Sequence, residues 1–419
     1  MTLAPRRPPG YNTFWRAVRQ NIRPLGRQGI GEFSVKETSV RSARLTGLYA
    51  AMLLDGLCVS GAALVVPLVR EQYGADYALA GLLLAFLSVG NLVAALLSGF
   101  LPRVWGVRLT ALTLVFGLPA GYLLLLISGS PAVLLLSFLL VGFGKGSSMN
   151  NAVVLTGAAC DDHTKSTNLI NALFAVGSLV VPALFWLCAP SAYWGAPVLA
   201  LAAAGGVLWV LFARTPMPGR TAARAARDDL SFLRDRHFWY TTAFLFCQQC
   251  TEISVTNWLV TYFEDTGILA GSLSDLTVTV VWAAMLTARL LIAFVLKPAS
   301  RLRSLTLMSV ASAVTYLLLL FAGSGAAALG ALFLFGFSIA GTYPTAIAKA
   351  SGAMSNASVG VLLPVAGVGA IVMPYITGAV AQAVGIHGGM MCPLATLAGM
   401  LVFSVLMRRA ERTAPEAAA

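Results

Sequence analysis

The chain has 419 residues, of which 58% are hydrophobic and 11% charged, and its mean hydropathy is +0.81. That is more apolar surface than a water-soluble core could bury, so lipid must act as part of its solvent. A formal charge of +12 would suit nucleic acid only as a basic face on a folded domain; here the charges fall between apolar runs, where they set topology and exclude that partner.

Residues 1–44 are basic and too long and polar before the first apolar run for a secretory signal. Within them Tyr11, Phe14, Trp15, Val18, Ile22 and Leu25 recur at helical spacing, with Arg16, Arg19, Arg23 and Arg27 between them. The pattern fits a helix lying on the cytoplasmic membrane surface or a disordered basic tail. Runs of about 20 apolar residues, the length that crosses a bilayer, follow at 45–70, 78–101, 107–128, 131–156, 166–190 and 193–214. A stretch at 215–236, rich in Arg, Asp, Ala and Pro, reads as a cytoplasmic linker. Further runs cover 237–263, 272–297, 302–323, 326–349, 357–383 and 387–408, leaving a cytoplasmic tail at 409–419. The expectation is an all-α membrane protein of twelve transmembrane helices, in two six-helix bundles at 45–214 and 237–408.

Lys and Arg concentrate in alternate connections: the N-terminal segment, Arg103 and Arg108, Lys165, the linker, Lys297 with Arg301 and Arg303, Lys349, and the C-terminal tail. The opposite side receives only Arg70. By the positive-inside rule both termini are cytoplasmic, in a multi-pass protein of the cell's inner membrane. The two bundles also repeat each other. Gly177-Ser178-Leu179-Val180-Val181-Pro182 matches Gly369-Ala370-Ile371-Val372-Met373-Pro374, and Gly142-Phe143 matches Gly336-Phe337 at nearly the same offset. A parallel repeat of six spans resembles the plan of the major facilitator superfamily, and that resemblance implies a solute site between the halves, near the bilayer midplane.

These features resemble the major facilitator superfamily and, within it, the branch of sugar-proton symporters that contains the fucose permeases. The seventh span carries Thr251-Glu252-Ile253-Ser254-Val255-Thr256-Asn257-Trp258-Leu259-Val260-Thr261-Tyr262, which is similar to that branch's acid or amide followed by an aromatic, Leu and Tyr. Trp282, Met285, Arg289 and Leu290 resemble its eighth helix; Gly341-Thr342-Tyr343-Pro344-Thr345 resembles its tenth; Asn168, Leu169, Asn171 and Gly177 resemble its fifth. The acids that fucose permeases carry before the first-helix proline and the fourth-helix Asn have no counterpart. Ala63 precedes Pro67, and Gly146 and Ser147 precede Asn150 and Asn151; Asp55 and Lys145 stand nearby instead. The resemblance therefore implies the fold more firmly than the solute.

A charge at the bilayer centre costs about 2.5–3.5 kcal/mol on insertion scales, so Asp55, Lys145 and Glu252 are the candidates for proton coupling. Either Asp55 or Glu252 switches protonation as its partner moves, or Asp55 and Lys145 form a permanent pair that fixes the first helix against the fourth. Gln248, Glu252 and Asn257 of the seventh span, with Asn150, Asn151 and Asn171 of the first half, could replace the hydroxyl shell of a sugar, and Trp258 could stack on its apolar face. Interhelical hydrogen bonding is the alternative use of such amides. Arg289 lies about 12 Å inside the cytoplasmic end of the eighth span, where it belongs to the scaffold by snorkelling or pairing with a helix end, with direct solute contact as the alternative. Cys247 and Cys250 form a CxxC without a nearby His, and no metal or cofactor is expected. The reading is a monomeric secondary transporter, not an enzyme. It would take up a small polar solute, a sugar or polyol, by alternating access with protons or Na⁺. The alternative is a proton-driven exporter of an amphipathic or anionic metabolite or drug, which Lys145 makes reasonable.

Overall fold

The computed structural model describes residues 27–159, 163–191, 193–215, 217, 230–269, 272–294, 300–351 and 356–413. The expected surface helix around Tyr11 to Leu25, most of the linker, Lys297 and the end of the C-terminal tail lie outside them.

Almost every described residue is helical, because a chain in lipid must satisfy its backbone polar groups within each segment. Among the described residues, eleven helical stretches are long and apolar enough to cross a bilayer: Leu45–Tyr73, Tyr77–Ser98, Val107–Leu125, Pro131–Ala152, Leu169–Ser191, Ala196–Arg214, Leu273–Ile292, Arg301–Leu320, Gly325–Ile347, Val361–Val384 and Ile386–Glu411. The remaining span is the helix Arg236–Thr266. Its 31 residues reach about 46 Å at 1.5 Å each, but Gln248, Gln249, Glu252 and Asn257 dilute its apolar content. Numbered in chain order with that helix as the seventh, these are the twelve spans. The first has no break before it: the helix Arg27–Tyr73 runs unbroken for 47 residues, so part of the basic N-terminal segment continues the span.

The packing of the spans repeats across the linker. In the first half the first span lies against the fifth and sixth, and the fourth against the second and third. In the second half the seventh lies against the eleventh and twelfth, and the tenth against the eighth and ninth. The glycines of the sequence repeat explain why. A Cβ on Gly177 would collide with the Leu53 carbonyl oxygen of the first span, and one on Gly369 with the Phe246 carbonyl oxygen of the seventh. Likewise Gly142 meets Leu87 of the second span and Gly336 meets Val281 of the eighth. The walls these glycines approach are displaced along the chain by nearly the same offset as the glycines themselves, so the repeat encodes two equivalent close crossings per bundle.

The prolines are less symmetric. The fifth span breaks at Val180, just before Pro182, whereas the eleventh breaks at Val368 and Pro374 lies inside the helix Gly369–Val384. A missing proline N–H loosens both spans, but the bend falls at different places.

Between halves, the second span packs on the eleventh, the fifth on the eighth and the first on the seventh, the pattern expected of two bundles related by a pseudo-two-fold axis. Several bonds gather at the end carrying Arg70. Arg70 Nη1 stands 2.6 Å from Asp265 Oδ2, which also accepts from the Tyr77 hydroxyl at 2.8 Å. The Tyr77 amide donates to Gln382 Oε1 at 3.1 Å, and the Arg70 guanidinium lies 4.0 Å from the centre of the Tyr77 ring. One turn deeper, Gly81 and Gly378 let the backbones of the second and eleventh spans touch. Toward the same end, Thr279 donates to the Leu179 carbonyl at 2.9 Å. This end of the interface is closed.

Candidate functional site

Asp55 lies in the first span, two residues past the Leu53 carbonyl that meets Gly177, and is 0% exposed. Its Oδ1 accepts from Ser148 Oγ of the fourth span at 2.6 Å, while Oδ2 has no partner. The Tyr122 hydroxyl of the third span donates to the Cys58 carbonyl one turn away. Lys145 feels the charge of Asp55, but among the described residues no carboxylate oxygen comes within 4.0 Å of it. The permanent Asp55–Lys145 pair is therefore replaced by a hydroxyl contact, Ser148 to Asp55, with the ammonium standing off. Ser148 is a member of the site that the sequence does not single out.

The seventh span holds the other acid. Cys250, Ser254 and Trp258 face the eleventh span and Thr251 the twelfth: Ser254 bonds Thr377 at 2.8 Å, and Thr251 bonds Thr396 at 2.7 Å. At about 100° per residue, Glu252 and Gln248 fall on the face away from these contacts. Gln248 Nε2 donates to Glu252 Oε2, and Gln248 Oε1 is buried without a partner. Glu252 itself is half-buried. It lies in the field of Arg289 from the eighth span and Lys145 from the fourth, and it acts in turn on Tyr343 of the tenth. So Arg289, expected to snorkel to its helix end, belongs to the surroundings of Glu252, and Tyr343 joins it there.

The candidate solute contacts separate. Asn257, five residues beyond Glu252, is turned about 140° around the helix and does not share its face. Trp258 is 0% exposed; its Nε1 donates to the Pro374 carbonyl at 3.1 Å, and its ring centre is 6.3 Å from that of Tyr77. In this conformation it supports the closed end and offers no face to a solute. Asn151 is buried, and its Nδ2 donates to Ser147 O at 2.8 Å and Ser147 Oγ at 3.1 Å, which is bonding within one helix. Asn150 and Asn171 are half-buried. A half-buried aromatic pair does join the halves elsewhere: Phe174 of the fifth span lies against Trp282 of the eighth, ring centres 5.5 Å apart and edge-on. Cys247 packs against Gly399 and Cys250 against Gly369, and the described cysteines are free thiols.

The arrangement brings ionisable groups from four spans and both halves into one electrostatic neighbourhood. Lys145, Glu252 and Arg289 keep part of their surface accessible, whereas Asp55 is fully buried.

Known proteins carry the same plan. The structure superposes on that of a mutant form of the nucleoside transporter NupG with a TM-score of 0.71 at 13% identity, covering 88% of this chain and 99% of that one. It superposes with a TM-score of 0.67, also at 13% identity, on a bacterial homologue of the human lysosomal transporter Spinster in an inward-facing and occupied conformation, covering 90% of this chain and 97% of that one. An uncharacterised MFS-type transporter of Yersinia pestis is 31% identical over 144 residues, 33% of this chain and 37% of the relative, so the match spans little more than a third of that protein. The family model for the Major Facilitator Superfamily matches residues 48–363. With two glycine-matched six-helix bundles meeting at a polar interface, the chain belongs to the Major Facilitator Superfamily, a family of membrane transporters rather than enzymes.

Proposed function

We propose that the protein takes up a small polar solute, a sugar or polyol derivative, by alternating access coupled to protons, with Glu252 as the exchanging acid and Asp55 as a second proton site. The observation that carries this reading is the setting of Glu252: half-buried in mid-membrane, on the helix face turned from its own bundle's packing, and in the field of cations from both halves. A carboxylate in low dielectric is neutral or charged according to how close its cationic neighbours stand, so a relative movement of the halves would load or release its proton. The distribution of Lys and Arg puts the closed Arg70 end on the outer side, so this conformation would receive and release solute from the cytoplasm.

The test is proton movement in proteoliposomes loaded with a pH-sensitive dye, with glucose, galactose, fucose, mannitol and their acid derivatives added singly. Entry of a solute together with protons is expected in the parent protein. Glu252→Gln should retain exchange of labelled solute across the membrane and lose accumulation against its gradient. Accumulation that survives in both Glu252→Gln and Asp55→Asn overturns the assignment of coupling to these acids.

A further inference from the structure

Lys145 and Arg289 come from different halves, both are half-buried, and among the described residues neither has a carboxylate oxygen within 4.0 Å. The nearby acids do not answer them. Asp55 is 0% exposed and is bonded to Ser148. Glu252 is bonded to Gln248 and lies in the field of both cations while remaining outside ion-pair distance of each. A cation held in a low-dielectric interior without a close counter-charge is costly, and that cost falls when a partner is supplied.

Helix geometry gives the direction. On the fourth span, Gly142 and Gly146 press on the second span and Ser148 reaches the first. At about 100° per residue, Lys145 falls between those two faces, toward the centre of the molecule. On the eighth span, Arg289 stands two turns from Trp282 on the same face, the face that meets Phe174 of the first half. At these positions the first half turns a point charge toward the centre of the molecule, and the second half turns toward the first a guanidinium whose planar fork fits a carboxylate or phosphate.

We propose that the transported solute carries an anionic group that lodges between Lys145 of the fourth span and Arg289 of the eighth, supplying the counter-charge that Asp55 and Glu252 leave missing. This rests on the transporter reading above and narrows its solute to acidic derivatives, such as sugar acids or sugar phosphates.

The test uses the full chain in proteoliposomes, native cysteines replaced by serine, with Met149→Cys as reporter. Met149 is half-buried and one turn from Lys145 on the same helix. Its reaction with an anionic methanethiosulfonate is compared with that of a cationic one, each divided by the reagent's rate with a free thiol. An anion preference of about tenfold is expected. It should collapse in Lys145→Gln, fall part way in Arg289→Gln and survive in Lys145→Arg, all in variants that melt like the parent. Equal reaction by the two reagents, or a preference unmoved by Lys145→Gln, overturns the anion site and leaves the transporter reading standing. If neither reagent reaches the cysteine, no cavity opens and both readings fail. Protection by gluconate points to a carboxylate and protection by glucose 6-phosphate to a phosphate; protection by glucose as strong as by either anion overturns the proposal.

Discussion

Asp55 and Gln248 stand at matching places in the two halves, each two residues beyond the carbonyl that a repeated glycine presses against, Leu53 under Gly177 and Phe246 under Gly369. Both are 0% exposed, and each has one side-chain oxygen without a partner. They differ in what the other atom does. Asp55 accepts from Ser148 across a helix crossing, while Gln248 donates along its own helix to Glu252. One half thus holds its acid sealed at the crossing. The other puts an amide there and moves the acid one turn away, to a half-buried position between the bundles. The scaffold is repeated, and the chemistry laid on it is divided.

The largest effect expected from this comparison lies in the shared scaffold. Gly177→Val and Gly369→Val each drive a side chain into a backbone carbonyl, and overpacking of this kind costs about 3 kcal/mol where the backbone cannot yield. Thermal unfolding in detergent should fall by similar amounts for both. A loss confined to one half would show that the two crossings are not equivalent.

A smaller effect should sharpen the difference between the acids. Ser148→Ala leaves Asp55 without its one hydrogen-bond donor, an expected loss of about 2 kcal/mol, measurable as a lowered midpoint that Asp55→Asn in the same chain partly restores. Gln248→Leu should leave the Asp55 side untouched and change transport rather than stability, because Glu252 keeps accessible surface. If the two substitutions had the same signature, the division between sealed and exposed acid would be wrong.

The smallest stability effect belongs to the closed end. The Arg70 and Asp265 side chains are 19% and 29% exposed, and an ion pair in such a setting contributes about 0.2–1 kcal/mol. Arg70→Gln should hardly move the melting temperature; on the alternating-access proposal it should shift the balance toward an open form of that end, in which the first and seventh spans would separate and break the bond.

Much of the scaffold was legible in the sequence. Apolar runs mark the spans because lipid imposes their length, and the Gly177/Gly369 and Gly142/Gly336 matches marked the bundle repeat because close crossings leave no room for a side chain. The shared face of Gln248 and Glu252 was legible too, since residues four apart meet on one helix, but the sequence offered them as solute contacts rather than as partners of each other. What the sequence hid depends on how helices are rotated against their neighbours. Ser148 reads as one more small residue in an apolar helix until the first span is laid beside it. Arg289 is placed by its distance from the helix end, and only the packing of the seventh and eighth spans brings Glu252 within its field. Trp258 looks suited to stack on a sugar, but the closeness of Gly378 buries it at the closed end. Asn257 needed only the helical repeat to be set apart from Glu252, so that part of the expectation failed on geometry already available.

The most direct test of the central claim, a polar interface that opens to one side and then the other, is a distance across the Arg70 end. Glu71 and Ala383 are exposed at the ends of the first and eleventh spans, and spin labels at Glu71→Cys and Ala383→Cys in a chain without native cysteines report their separation in lipid. Two separations are expected, the shorter one dominant in the parent protein and the longer one gaining population in Arg70→Gln. A single separation, identical in parent and variant and unmoved by pH or by any transported solute, would contradict the account.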